Sequence, residues 1–186
     1  MRTLFFDTET SDLLSKPYVP GPRQPHIVQL AAILLEEDFE TPMYVLIRPE
    51  GWIVSAAVQR VHGISTEHAL ANGIPLRRAI EHFHKMATRA DMLVAHNLEF
   101  DRVMILSEYA RLGIEHPFKG KREFCTMMAA TDIMKLPGPY GSKWPSLQEA
   151  YRYFTGQDMV GAHDALADVR ACRTVYERIL KTKTRA

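Results

Sequence analysis

The order of strand-like and helix-like segments is the feature that most limits how this chain can fold. Near the N-terminus, apolar runs bounded by polar loops predict strands over residues 3–7, 26–35 and 43–47. Their short connections favour an antiparallel arrangement. Two further strands are predicted between helical segments, over residues 92–95 and 123–126. This order predicts an α/β fold, in which helices cover both faces of a mixed five-stranded sheet.

The helical segments carry end signals that support this interpretation. Asn97 is a predicted N-cap and Gly113 a predicted helix stop, while Ser146 and Glu149 have the spacing of a capping box. The proline-rich segment 13–25 is predicted to be a surface loop. The predicted helices cover residues 56–61, 75–89, 97–112 and 127–134, a segment that begins at residue 146, and residues 164–179.

Length and composition favour one folded domain and exclude a strongly basic binding protein. The 186 residues fit a single domain over residues 1–186, and 46% hydrophobic residues are too many for a disordered chain. Lysine and arginine number 23 against 22 acidic residues, a formal net charge of +1. Affinity for a polyanion must therefore come from local patches or from metal ions.

The sequence contains no segment that predicts a membrane span or an export signal. No apolar run approaches about 20 residues, and the N-terminal apolar run reaches Asp7 before a signal peptide could form. The two cysteines, Cys125 and Cys172, are too few for a disulfide framework and lack the spacing of a zinc site. We therefore expect a soluble, cytoplasmic protein with reduced thiols.

Asp7 and Glu9 form the first group with chemical potential. They lie two residues apart at the end of the first predicted strand, so both side chains project from one face. Two carboxylates about 4 Å apart repel by about 4 kcal/mol at an effective dielectric constant near 20, and a divalent cation relieves this repulsion. Oxygen ligands favour Mg²⁺ or Mn²⁺ over zinc. Taken alone, such a pair is more often a solvated strand end than a metal site.

Two later groups add acidic residues at the starts of helices. Asp101 follows the fourth predicted strand and is able to face Asp7, although the helix dipole also favours an acid there. His163 precedes the last helix, and Asp168 lies one turn inside it. An ordinary loop histidine is the alternative for His163, and Asp164 is the expected helix cap.

Together the three groups resemble the DEDDh branch of the DnaQ-like 3′-5′ exonucleases, which includes proofreading exonuclease subunits and domains. The matching segments are Phe6-Asp7-Thr8-Glu9-Thr10, His96-Asn97-Leu98-Glu99-Phe100-Asp101 and His163-Asp164-Ala165-Leu166-Ala167-Asp168. Weaker similarities occur at Ile27-Val28-Gln29-Leu30-Ala31, Val61-His62-Gly63-Ile64 and Cys125-Thr126. The resemblance thus covers nearly the whole chain.

The resemblance implies a ribonuclease-H-like fold and a metal-dependent nuclease. By this likeness, Asp7, Glu9, Asp101 and Asp168 hold two divalent cations, Mg²⁺ or Mn²⁺, and His163 acts as the general base. The implied substrate is the 3′ end of single-stranded or frayed DNA, from which nucleoside 5′-monophosphates are released. The residues implied to contact it are Thr8, Thr10, Leu13, His62, Asn97 and Phe100.

The sequence departs from the family pattern at two positions. Asp12 stands where the family has a glycine, which affects the turn that presents Leu13. Ala57 stands near the place of a family acidic residue.

Several functional alternatives remain open at the level of sequence. The same chemistry on RNA, as in RNase T and oligoribonuclease, uses the same motifs. A non-catalytic module that binds nucleic acid or a polymerase is the alternative from another class, although no ligand of the motif is missing. Because the sequence ends soon after the last predicted helix, we expect no long polymerase-binding tail, which favours a free-standing enzyme or a partner docked on its surface.

Aromatic and basic residues could add affinity for nucleic acid. Bases stack on aromatic side chains, although core packing is the commoner role of a tryptophan. The residues considered are the aromatic Trp52, Tyr140 and Trp144, of which Trp144 is preferred, and the basic Lys119, Lys121, Arg122, Arg170, Arg173, Arg178, Lys181, Lys183 and Arg185.

Overall fold

The computed structural model describes residues 1–37, 39–139 and 141–183, without the side chain of Lys183. Its centre is a five-stranded mixed sheet in the order β3-β2-β1-β4-β5. β1, β2 and β3 are antiparallel, whereas β4 and β5 run parallel to β1. The strands are β1 (Thr3–Thr10), β2 (Ile27–Glu36), β3 (Phe39–Leu46), β4 (Met92–Ala95) and β5 (Arg122–Cys125). The predicted fold class is confirmed.

Helices lie between and after the strands, as the spacing of apolar residues predicts. The bounds are α1 (Ala56–His62), α2 (Thr66–Asn72), α3 (Leu76–Arg89), α4 (Leu98–Leu112), α5 (Thr126–Met134), α6 (Leu147–Thr155) and α7 (Ala165–Lys183). Helix α2 was not predicted, because Ala69 is its one buried residue and leaves no apolar period to detect. Two short antiparallel strands, β6 (Pro137–Gly138) and β7 (Gly141–Ser142), overlap the predicted 136–141 loop and extend one residue beyond it.

Side chains of β1 alternate between two cores, one on each face of the sheet. Phe6 packs edge-on against Phe83 of α3, in the larger core that α3 and α4 share with the sheet. Phe5 points to the opposite face and packs edge-on against Tyr176 of α7. Helices therefore cover both faces, and α7 is held against the strand that carries Asp7 and Glu9.

The predicted helix-end residues are confirmed, although Asn97 does not cap its helix through the side chain. Ser146 and Glu149 form the capping box, and Gly113 ends α4 in the left-handed conformation. Asn97 precedes α4, but its side chain makes no capping hydrogen bond. Its φ of 68° explains the difference, because a side-chain N-cap needs an extended backbone. The predicted N-cap position of Asn97 is therefore confirmed, although its side chain does not cap the helix.

The described residues include no helix with both the length and the apolar character needed to cross a membrane.

Candidate active site

Three parallel strands end at one side of the sheet, which we call the carboxyl edge. β1, β4 and β5 are neighbours and run in the same direction, so the segments that follow them start close together. Asp7 and Glu9 lie in the last half of β1, and α4 begins shortly after β4. The fold thus brings the first two acidic groups of the sequence to the same edge.

Asp101 is held directly on β1. Its carboxylate Oδ1 accepts hydrogen bonds from the backbone N–H of Thr8 at 3.0 Å and from the Thr8 hydroxyl at 2.8 Å. Asp101 is only 2% exposed, and Thr8 is also buried. Thr8, which the family resemblance implies as a substrate contact, therefore orients the carboxylate of Asp101.

The start of α7 completes the cluster. Glu9, His163 and Asp168 each offer an oxygen or nitrogen ligand atom, and these atoms lie within 4.8 Å of one another. The backbone N–H of His163 donates to Asp168 Oδ2 at 3.3 Å. His163 has a φ of 67° and lies two residues after Gly161, whose φ is 77°. This tight turn keeps the imidazole next to the carboxylates.

Burial and mutual repulsion make the carboxyl groups reluctant to ionise. Burial raises the pKa of Asp7 well above its usual range, and the charges of the neighbouring carboxyl groups raise it further. Burial likewise raises the pKa of Glu9 to about 8 and that of Asp101 to about 7. For Asp168 it raises the pKa to about 6, although the charge of His163 acts in the opposite direction.

These residues fit divalent cations. A group of partly or fully buried carboxylates that repel one another is stabilised by positive charge, and hard oxygen donors are the ligands that Mg²⁺ and Mn²⁺ prefer. The cluster supplies such donors from Asp7, Glu9, Asp101 and Asp168. Its chemistry, a set of hard anions beside one imidazole, suits the hydrolysis of a phosphate ester.

A family model described as an exonuclease, of the RNase T type, matches residues 4–176. The chain belongs to the exonuclease family. This membership confirms the resemblance and the enzyme class inferred from the sequence motifs. Among proteins with curated descriptions, no sequence matches the chain.

Solved exonuclease structures share the fold at low sequence identity. E. coli exonuclease I in complex with a dT13 oligonucleotide matches with a TM-score of 0.76 and 19% identity, covering 98% of this chain and 41% of that one. The zinc-bound form of the complex of E. coli exonuclease I with single-stranded DNA matches with a TM-score of 0.76 and 20% identity, covering 98% of this chain and 41% of that one. Exonuclease X in complex with 5′ overhanging duplex DNA matches with a TM-score of 0.66 and 25% identity, covering 98% of this chain and 93% of that one. This exonuclease-family chain therefore spans less than half of exonuclease I and nearly all of exonuclease X.

A polar network of this exonuclease fold fixes the start of α7. The side chain of Gln29, near the start of β2, accepts from the backbone N–H of Ala165 at 2.9 Å and donates to the Tyr44 hydroxyl at 2.9 Å. Tyr44 donates in turn to Asp164 Oδ2 at 2.9 Å. Asp164 also accepts from the backbone N–H of Ala167, which confirms it as the helix cap. One signal for this network was visible in the sequence, a glutamine within a mostly apolar strand.

His62 lies at the end of β1, where Thr10 is also found. Its Nδ1 accepts from the backbone N–H of Ile64 at 3.0 Å, so Nε2 carries the hydrogen and donates to the Thr10 carbonyl at 3.2 Å. Burial lowers the pKa of His62, and the charge of His163 lowers it further. The Thr10 hydroxyl donates to the Asp12 carbonyl. His62 is therefore a neutral ring locked in one tautomer beside the cluster.

Asp12 forms the turn after β1 without the backbone freedom of glycine. It is not among the described residues with positive φ. Its Oδ1 accepts from the backbone N–H of Leu13 at 2.9 Å and from the Ser55 hydroxyl at 3.1 Å. Leu13 is 72% exposed, so the turn presents it to solvent.

Asn97 and Phe100 precede Asp101 at the start of α4, near the carboxyl edge. Asn97 is exposed, and Phe100 is partly buried against the larger core. Contact between these residues and a substrate stays a prediction, as it does for Thr10, Leu13 and His62.

The basic residues considered from the sequence do not all face this site. Arg122 begins β5, at the end of the strand opposite the carboxyl edge. Lys121 beside it donates to the Thr88 and Ala90 carbonyls. Arg173 is paired with Glu40 and with Glu177. Tyr140, Arg185 and the side chain of Lys183 lie outside the described residues.

Proposed function

We propose that this chain is a metal-dependent 3′-5′ exonuclease that acts on single-stranded or frayed DNA and releases nucleoside 5′-monophosphates. The observation that carries the proposal is the meeting of four acidic side chains and His163 at the carboxyl edge. Family membership supports hydrolysis of a phosphodiester. The two named neighbours are both solved with DNA, which favours DNA over RNA as the polymer.

The four carboxylates would hold two divalent cations, Mg²⁺ or Mn²⁺. The set of oxygen donors and the raised pKa values support this, and a neighbouring exonuclease I structure holds a zinc ion. When bound, the cations stabilise negative charge on the attacking and leaving oxygens during in-line displacement. Thr8 serves this arrangement from outside the ligand set, because it fixes the carboxylate of Asp101.

His163 is the proposed general base. In the reaction a water oxygen would form a bond to phosphorus while the bond from phosphorus to the 3′ oxygen of the preceding nucleotide breaks. The water proton would pass to the imidazole, and the departing oxygen would take a proton from solvent to become the new 3′-hydroxyl. A histidine suits this role because its neutral form is available near neutral pH. The close approach of His163 to Glu9 and Asp168 puts the base next to the carboxylates that would hold the cations.

The 3′-terminal nucleotide would lie against Leu13, His62, Asn97 and Phe100, with Thr10 beside them. The exposed Leu13 side chain is available to wedge against a terminal base. His62 is held as a donor to the Thr10 carbonyl, which sets the shape of the backbone there.

Digestion of labelled single strands tests the proposal. We expect degradation in Mg²⁺ or Mn²⁺ of a strand with a free 3′ end, release of 5′-monophosphates, and resistance of a strand blocked at that end. Asp7→Ala should abolish the activity, whereas Glu123→Gln, a change at an exposed carboxylate paired with Arg102, should not. Faster digestion of a matched RNA would assign RNA as the substrate. Binding without cleavage would indicate the non-catalytic module.

A further inference from the structure

Trp144 is a large apolar side chain held out in solvent. It is 64% exposed, and it makes no ring contact with any described residue. Trp52, the other tryptophan, instead stacks on His26 with ring centroids 4.9 Å apart and packs against two cores. An exposed indole does not contribute the hydrophobic stabilisation that a buried one does. The difference between Trp144 and Trp52 therefore favours a binding role for Trp144.

The backbone on both sides of Trp144 is fixed. The N–H of Lys143 donates to the Leu136 carbonyl at 3.0 Å, and its ammonium donates to Glu149 at 2.6 Å. The carbonyl of Pro145 accepts from His96 Nε2 at 3.0 Å. Ser146 begins α6 with its capping box. A rigid backbone presents the indole at little further loss of entropy when a ligand binds.

His96 locates this indole relative to the carboxylates. It follows β4 directly, and its Nδ1 lies 3.0 Å from the hydroxyl of Thr126, which follows β5. The loop that carries Trp144 is thus attached to the carboxyl edge on the β4 and β5 side of β1. Thr10 and His62 lie on the other side of β1, where Thr10 pairs with Ile27 of β2.

A nucleobase is the ligand that fits this arrangement. Single-stranded nucleic acids bind to exposed aromatic rings because every base offers a flat face. One terminal nucleotide occupies the cleavage position, so a base at Trp144 must belong to a nucleotide that precedes it in the strand.

We propose that Trp144 is a second base-binding position, which stacks on a base of the single strand upstream of the 3′-terminal nucleotide. His96 is a positioning residue for it, because its ring holds the Pro145 carbonyl. This inference rests on the proposed exonuclease function and adds a part of the substrate path that the carboxylate cluster does not provide.

Indole fluorescence tests the proposal directly. Trp52→Phe leaves Trp144 as the single tryptophan of the chain. We would titrate this variant in Mg²⁺ with thymidine oligonucleotides of increasing length whose last linkage is a methylphosphonate, which resists hydrolysis. Stacking predicts a change in Trp144 emission that saturates with the longer strands and is absent with thymidine 5′-monophosphate. Unchanged emission at saturating oligonucleotide would overturn the proposal.

Affinity of variants supplies a second measurement. Trp144→Ala should weaken binding of the longer strands by about 5- to 140-fold, and Trp144→Phe, which keeps a ring, should weaken it less. Tyr153→Ala is the matched control, because Tyr153 is 55% exposed on α6 and contacts Phe154. Equal affinity of Trp144→Ala and the parent protein would contradict the proposal, as would equal losses in Trp144→Ala and Tyr153→Ala.

Failure of the proposed function gives a different result. In that case the parent protein does not digest DNA from its 3′ end, whether or not it binds a strand, whereas a failure of the Trp144 proposal alone leaves cleavage and binding intact. If DNA still bound but the emission of Trp144 changed only when a protein was added, the indole would be assigned to a protein partner. That outcome would reject the base-binding role.

Discussion

At the scale of single residues, the support of Asp101 by Thr8 is the contact on which the cluster most visibly depends. The carboxylate is buried and accepts two hydrogen bonds from one residue of β1. Partners that orient a metal ligand typically change metal affinity or activity by about 10- to 100-fold when removed. The hydroxyl of Thr8 is therefore a site where a small change should have a large effect.

Thr8→Val removes this hydroxyl and keeps the size of the side chain. We expect the Mg²⁺ concentration for half-maximal activity to rise, or the activity to fall, by about 10- to 100-fold. Thr8→Ser keeps the donor and should stay close to the parent. Titration of nuclease activity with Mg²⁺ checks this, and a Thr8→Val protein with parental metal dependence would show that the hydrogen bond does not support the site.

His163 gives a second prediction at this scale. If it accepts the proton from water, the rate should rise with pH as the imidazole loses its own proton, and His163→Ala should lose this dependence. The expected loss of rate is about 10²- to 10⁴-fold. The pH profile of initial rates in both proteins is the measurement; matching slopes would assign the proton to another acceptor.

At the scale of elements, α7 is tied to the sheet through Gln29 and Tyr44. Gln29 is 3% exposed, and its loss would leave the buried N–H of Ala165 without its side-chain partner. An unpaired buried donor costs about 1 to 3 kcal/mol, whereas an ordinary hydrogen bond contributes about 0.5 to 1.5 kcal/mol. Gln29 should therefore contribute more to the free energy of unfolding than the hydroxyl of Tyr44 does.

We expect Gln29→Ala to lower the free energy of unfolding by more than Tyr44→Phe does. Tyr18→Phe is the control, because Tyr18 is exposed and its hydroxyl makes no hydrogen bond with a described residue. Unfolding in urea measures all three. If Gln29→Ala were as stable as Tyr18→Phe, the network would not hold α7 in place.

The helices, the strands and the acidic site residues could be predicted from the sequence because each follows from a local sequence pattern. The period of two on β1 predicts that Asp7 and Glu9 share a face, and Asp101 follows β4 by a fixed number of residues. Hydrogen bonds between residues far apart in the chain could not be predicted, because no local pattern pairs Thr8 with Asp101 or Tyr44 with Asp164. The left-handed backbone of Asn97 was not predicted for a related reason, because the surrounding fold and not the residue type sets its φ.

At the scale of the whole molecule, the raised pKa values make stability depend on pH. Each raised carboxyl pKa means that the folded protein holds a proton that the unfolded chain has released. This contribution is fully present below the unfolded pKa values, near 4, and is lost as pH rises through the folded ones, up to about 8 for Glu9. Without metal, the cluster should therefore destabilise the fold as pH increases across this window.

We expect the free energy of unfolding in EDTA to fall by at least about 1.4 kcal/mol between pH 5 and pH 8, the equivalent of one pKa unit. Mg²⁺ should reverse the loss, since a ligand that binds only the native state stabilises it. Urea unfolding at both pH values, with and without Mg²⁺, gives the comparison. Glu9→Gln should flatten the dependence, and a parental slope in that variant would place the titrating groups elsewhere.

The central claim is that Asp7, Glu9, Asp101 and Asp168 together hold divalent cations. Anomalous scattering from crystals grown in Mn²⁺ tests it most directly. The account predicts two manganese peaks among these four side chains, with His163 beside them. A map with no peak between the carboxylates, from crystals whose protein is folded and active in Mn²⁺, would contradict it.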